Sequence, residues 1–476
     1  MKFRWLIALA AVAIAGAAHA APRQAQATLR PCHLPGHDET LQCARIPVPL
    51  DHGAPAGQRL DTHVTIAPAF RQPARPDPLF ILAGGPGQAG SDLLLLLDGT
   101  FRKVRATRDI VFIDQRGTGL SGKLDCAETK DLEEIRLDEQ EQIVAACLRK
   151  LGKPYRHYTT DQSAADLEVI RAALGYGQIN LWGGSYGTRL AQAYARKFPA
   201  SVRALVLDGV VPPEQIVFAW GADAQAALNR VFTDCENDAH CNKTFPGLRG
   251  QFATLVKKVQ AGIRIDYSHP RTAAQKQTQL EPSAFLQTIR TSLYSPMTRI
   301  RLPYLIDSAA RGNWRPFVAQ MHAIGDSHIS ASSLGLMLSV TCAEDIPRLS
   351  PEIVAEEERS SFLAGIEVRT IPAWCRHVGV PAAPQRAPER IAAPALLLSG
   401  AYDPVTPPRR AEQTMKHLAQ AQHVVVQHGG HIVSPMGCVS KLVRDFLDRP
   451  AQKVDAQCVA KIPAMGFQLG AAGPKP

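Results

Sequence analysis

Six short apolar runs punctuate the chain, at residues 78–82, 110–113, 179–182, 202–207, 395–398 and 423–426. They are almost continuously apolar instead of alternating, which is how strands buried on both faces of a parallel sheet read. Turn residues and helical patterns separate several of them, as βαβ units require. Near the N-terminus, 44–50 and 60–66 read as a leading antiparallel pair. From about 212 to 388 the pattern changes and is mostly helical. Phe285, Leu286, Ile289 and Leu293 fall on one helical face, and 314–324 behaves similarly. The spacing therefore predicts an α/β fold with a mostly parallel sheet. Its first part is 21–211, its second 389–476, and a helical cap at 212–388 interrupts it. Insertions in such sheets sit over the ligand end of the strands.

The first twenty residues read as an export signal. Lys2 and Arg4 precede an Ala-rich apolar run, and Ala18, His19 and Ala20 form a small-x-small cleavage pattern. Later stretches are too short and too polar to span a membrane. The expected location is periplasmic or secreted, with no membrane anchor after cleavage. Ten cysteines then meet an oxidising compartment. They fall as neighbours: Cys32 and Cys43, Cys126 and Cys147, Cys235 and Cys241, Cys342 and Cys375, Cys438 and Cys458. Sequential pairing is the expectation, although spacing alone does not fix connectivity. Formal charge is +10 without a long basic block, which argues against nucleic acid as a partner. The arginines of 102–108 read as solvated helix surface. Oligomeric state is not legible.

Candidate chemistry begins at Gly183, Gly184, Ser185, Tyr186 and Gly187, a Gly-x-Ser-x-Gly pattern between a predicted strand and a predicted helix. A nucleophilic serine must stand on a sharp strand-to-helix turn, and flanking glycines remove side chains that would clash there. The helix N-terminus then aims backbone N–H groups at a developing oxyanion. A serine hydroxyl also needs a base and a carboxylate that orients it, in the chain order Ser, Asp, His. Asp403 follows the strand at 395–398, and His431 follows the strand at 423–426. His428 competes with His431. We favour His431 as base because Gly429 and Gly430 give it a flexible loop tip. A His428/His431 metal pair lacks a third ligand nearby.

The glycine cluster at 83–90 would bring a second oxyanion donor, Gly85, beside Tyr186. It also matches Gly-x-Gly-x-x-Gly, with Asp114 where a ribose-binding acid would stand, so a dinucleotide-binding oxidoreductase is a rival reading. Pro86 weakens it by removing a donor from the phosphate cradle. A non-catalytic binding protein on the same scaffold is a further rival.

Together, Gly84 to Gly87, the run 114–121 and the motif around Ser185 resemble the prolyl and tripeptidyl aminopeptidase family of α/β-hydrolases. Cys438 and Cys458 resemble cysteines of its tripeptidyl-aminopeptidase-like C-terminal segment. The resemblance implies a serine peptidase that removes residues from the free N-termini of short peptides. It implies a helical cap and neither a metal nor an organic cofactor. It maps the triad onto Ser185, Asp403 and His431. It also points to Glu344, in the cap, as the carboxylate that holds the substrate's ammonium. One departure is Ala83, where many members carry histidine. An exported esterase or amidase would use the same triad and is the main alternative. Asp114, Arg116 and Asp208 read as structural turn residues.

Overall fold

The computed structural model describes residues 27–473, apart from 130, 131, 133, 134, 271, 329–331 and 386. The export signal expected at 1–20 lies outside the described residues. The strands are β1 Arg30–Leu34, β2 His37–Pro49, β3 Arg59–Ala67, β4 Leu79–Leu82, β5 Ile110–Ile113, β6 Ile179–Gly184, β7 Val202–Asp208, β8 Ile263–Ser268, β9 Gln275–Leu280, β10 Ala395–Gly400 and β11 Ala421–Val426.

Nine of them form one sheet in the order β1-β2-β3-β5-β4-β6-β7-β10-β11. From β5 to β11 every neighbouring pair is parallel. β1, β2 and β3 form an antiparallel edge, with β3 paired antiparallel to β5. The apolar runs explain the central strands. Every residue of β4, β5, β6 and β10 is buried. Side chains alternate between the two faces, and each face packs its own core. Phe80, Leu82, Leu181 and Leu207 face one core; Leu79, Ile81, Trp182 and Val206 face the other. Each such side chain stabilises the fold by about 1.5–3 kcal/mol on full burial.

Between β7 and β10 the chain is mainly helical and builds a third core. Phe285 stacks on Phe317 at 4.9 Å and meets Trp314 edge-on at 6.2 Å. The face predicted from Phe285, Leu286 and Ile289 belongs to the helix Pro282–Ser292, and all three are buried. Sequence reading missed the hairpin of β8 and β9 in this segment. Its second strand, Gln275–Leu280, is polar up to its buried last residue and mostly exposed, so no hydrophobic period announces it. Tyr402 and Val405, from the loop after β10, join this third core.

Two further readings are corrected. The arginines of 102–108 are not simply solvated. Arg105 and Arg108 are buried, at 2% and 0% exposure. Arg105 pairs with Glu39, while Arg108 reaches Asp77 at 3.0 Å and Asp448 at 2.7 Å. Their carboxylates are distant in sequence, so local pattern concealed the pairing. The cysteines pair as neighbours throughout: Cys32–Cys43, Cys126–Cys147, Cys235–Cys241, Cys342–Cys375 and Cys438–Cys458.

Candidate active site

Ser185 stands between β6 and the helix Tyr186–Lys197, with φ 56° and ψ −124°. This is a left-handed conformation that costs a non-glycine residue roughly 1–3 kcal/mol. The surroundings hold it there. Ser185 N–H donates to the carbonyl of Asp208 at 2.9 Å, and its own carbonyl accepts from the Thr188 hydroxyl at 2.6 Å. The glycines are needed for close approach. A Cβ on Gly187 would lie 2.1 Å from the Leu82 carbonyl oxygen, and one on Gly183 would lie 2.4 Å from that of Gly187.

Asp403 follows β10 and is buried. Its Oδ1 accepts from Val405 N at 2.9 Å and Thr406 N at 2.8 Å. Its Oδ2 accepts from the Thr406 hydroxyl at 2.7 Å and pairs with His431 Nδ1 at 2.8 Å. Burial pushes this carboxyl toward the neutral form. The His431 charge, its hydrogen bond and the two backbone donors outweigh burial, and the group stays below the ordinary carboxylate range.

His431 follows β11, and its N–H donates to the Tyr294 carbonyl at 2.7 Å. Its ring meets the Tyr294 ring edge-on at 4.8 Å. Gly429 and Gly430 do not serve flexibility, contrary to the sequence reading. A Cβ on Gly430 would lie 2.2 Å from the Tyr294 carbonyl oxygen, and one on Gly429 would lie 2.7 Å from Val433. They let the loop pack closely, which fixes the imidazole. Gly209 likewise leaves room, since a Cβ there would sit 3.1 Å from His431 Cε1. The competitor His428 is absent from the cavity wall; its carbonyl takes a hydrogen bond from Arg299 at 3.0 Å.

One cavity of about 490 Å³ collects Ser185, His431, Gly85, Tyr186, Thr406, Tyr294, Trp220 and Ser332. Tyr186 opens the helix beside Ser185, and Gly85 lies in the loop after β4 with φ +103°. A Cβ on its neighbour Gly84 would lie 3.0 Å from Ser185 Cβ, so this loop runs hard against the serine. Such a pocket suits acyl transfer: a strained serine, an imidazole backed by a buried carboxylate, and two backbone segments beside the serine. Among the described residues no group of three or more His, Cys, Asp or Glu is arranged to hold a metal ion.

Glu344 is not part of this cavity. Its carboxylate accepts from Thr160 N at 2.8 Å and Thr160 Oγ1 at 2.7 Å, and it lines a separate cavity with Arg189 and Arg196. Burial raises its pKa above the ordinary value. Through Thr160 it braces the Tyr186 hydroxyl, 2.7 Å from Thr160 Oγ1. The sequence offered an acidic residue in the inserted segment but not its direction.

Sequence reasoning missed Thr406, which also lies 3.1 Å from His431 Nδ1, and Tyr294. Thr406 was detectable as a hydroxyl three residues beyond the acid, a spacing at which side chain and backbone both reach a carboxylate. Tyr294 had no local signal. Asp114 and Arg116 are structural, as read: Asp114 accepts from Ser91 N and Leu120 N at 2.8 Å each, and Arg116 donates to Asp166 Oδ2 at 2.7 Å.

Comparison with known proteins bears on the fold and the family resemblance. Residues 77–244 match the family model described as alpha/beta hydrolase fold, and residues 361–458 match the model described as TAP-like protein. The serine protease Hip1 of Mycobacterium tuberculosis is 28% identical over 463 residues, covering 85% of this chain and 84% of that protein. The tripeptidyl aminopeptidase of Streptomyces coelicolor is 31% identical over 286 residues, 52% of either chain. The proline iminopeptidase of Neisseria gonorrhoeae is 30% identical over 169 residues, 35% of this chain and 43% of that protein. By its sheet order and by the first segment matched, the chain has the α/β-hydrolase fold, and its C-terminal part matches the TAP-like model.

Proposed function

We propose that the protein is an exported serine peptidase of the aminopeptidase type, working through Ser185, His431 and Asp403 on short peptides. The observation that carries this reading is the pairing of buried Asp403 with His431 at 2.8 Å, in a cavity shared with a serine held at φ 56°. His431 Nε2 removes the Ser185 proton as Oγ attacks the scissile carbonyl. The oxyanion is met by the backbone N–H of Tyr186 and of Gly85. His431 then returns the proton to the leaving amine, and a water molecule repeats the sequence to release the acid. Asp403 holds the imidazole tautomer and stabilises its charged form. The inserted segment at 212–388 acts as the cap, because it supplies Trp220, Tyr294 and Ser332 to the cavity wall.

Peptide substrates are supported by the relatives, which include a serine protease, a tripeptidyl aminopeptidase and a proline iminopeptidase. Export is supported by the five disulfides, which persist in oxidising compartments. The test is a peptide-library digest read by mass spectrometry, with Ser185→Ala as control. Residues released from free N-termini, and lost in the control, support the reading. Equal turnover of amino-acyl and N-blocked amino-acyl chromogenic substrates defeats the aminopeptidase part in favour of a general esterase or amidase.

A further inference from the structure

A second chamber of about 370 Å³ opens beside the first, and Gly85 and Ser332 belong to the walls of both. Its surface is mainly apolar: Leu132, Leu137, Met337, Ile371 and Trp374 line it. The polar side chains on its wall are largely occupied by the protein itself. Asp125 Oδ1 accepts from Cys126 N and the Thr129 hydroxyl at 3.0 Å each. Gln140 Nε2 donates to the carbonyls of Leu132 at 2.7 Å and Ile135 at 2.8 Å. Glu367 accepts from the Trp220 indole at 2.5 Å and lies 3.7 Å from Arg290. Two buried atoms on chamber residues, Trp374 Nε1 and Ser283 Oγ, have no hydrogen-bond partner among the described residues. A cavity of this size, apolar with few polar points, is the usual form of a ligand subsite.

The chamber's position says which part of a substrate it takes. The leaving group must lie against His431, which protonates it. The chamber meets the catalytic cavity at Gly85, on the oxyanion side, and His431 is absent from its wall. We infer that this chamber is the acyl-side specificity pocket: it receives a large apolar side chain upstream of the scissile bond. Met337 and Leu137 are both on its wall. Arg290 and Glu367 join it to the catalytic side, since Arg290 lies over the rings of Trp220 and Tyr294, at 5.0 Å and 5.4 Å.

This inference rests on Ser185 being the nucleophile, but not on the substrate being a peptide. The test uses two matched substrate pairs, each with the same leaving group. One pair is p-nitrophenyl acetate and hexanoate; the other is tripeptide p-nitroanilides ending in Ala or Phe at the cut. The full-length protein should favour the larger acyl group in each pair. Filling the chamber with Met337→Trp should reduce the large-to-small ratio of kcat/KM by about tenfold or more, the scale on which apolar pockets discriminate. Leu137→Trp, at a position 39% exposed, should reduce it in the same direction. A fluorophosphonate label on Ser185 confirms that each variant is folded. An unchanged ratio in labelled Leu137→Trp overturns the inference. Ester selectivity without anilide cleavage keeps the chamber and removes the peptidase reading.

Discussion

The carboxylate of Asp208 accepts the backbone N–H of Ser434 at 2.7 Å and its hydroxyl at 2.5 Å. The same carboxylate accepts from Val433 N at 2.9 Å, and the Asp208 backbone carbonyl accepts from Ser185 N. One residue at the end of β7 thus ties the serine turn to the loop immediately after His431. Asp208 is fully buried; burial raises its pKa while the Ser434 and Val433 donors oppose the rise. Asp208→Ala strands buried donors, each worth about 1–3 kcal/mol when unsatisfied. We expect a loss of about 2–4 kcal/mol in chemical denaturation, together with a fall in kcat. Full activity and unchanged stability would remove the tie from the account.

Asp403→Asn tests the orienting carboxylate. The amide preserves shape but reverses hydrogen-bond polarity toward His431 Nδ1, which favours the wrong tautomer. We expect kcat to fall by about 10⁴-fold with the fold intact. The carboxyl is held below its ordinary value, so its contribution to stability is present above the ordinary carboxylate range and fades as pH falls toward the depressed value. The stability gap between wild type and Asp403→Asn should therefore narrow in acid, as followed by denaturant titration at several pH values.

Glu344 supplies a negative prediction. Its carboxylate is occupied by Thr160 and lies outside the cavity of Ser185. Glu344→Gln should destabilise by about 1–2 kcal/mol through the altered hydrogen bonds. It should leave the preference for free over blocked N-termini unchanged. A selective rise in KM for free-amine substrates would return the ammonium-binding role to this residue.

Glu357 predicts a pH effect away from the triad. It accepts the Gly221 N–H at 2.7 Å, and burial, opposed by that hydrogen bond, pushes its pKa up to about 7. The folded state therefore holds a proton that the unfolded chain releases at lower pH. The stability this provides is complete below the unfolded pKa and is lost as pH rises through about 7. Comparing Glu357→Gln with wild type at pH 5 and pH 8 isolates the term: the variant should lose less stability between those values. Parallel losses would refute it.

Much of the sheet was legible because its signal is local. Runs such as Leu79–Leu82 and Ile110–Ile113 are buried on both faces, so four consecutive apolar residues announce a central strand. The serine turn was equally legible, because glycines at 183, 184 and 187 answer clashes within a few residues of Ser185. The polar hairpin strand Gln275–Leu280 carried no such pattern, and the buried pairs of Arg105 and Arg108 joined residues far apart in the chain.

Residue types and their order along the chain determined which groups were available: a serine after one strand, an aspartate after another, a histidine after the last. Only the tertiary structure decided which of them meet. It set Asp403 against His431, turned Glu344 toward Thr160, and put the Tyr294 ring edge-on to the imidazole. The reason is that a backbone turn is governed by neighbours within a few residues. The direction of a side chain across a cavity depends instead on the packing of segments well separated along the chain, which no local pattern encodes.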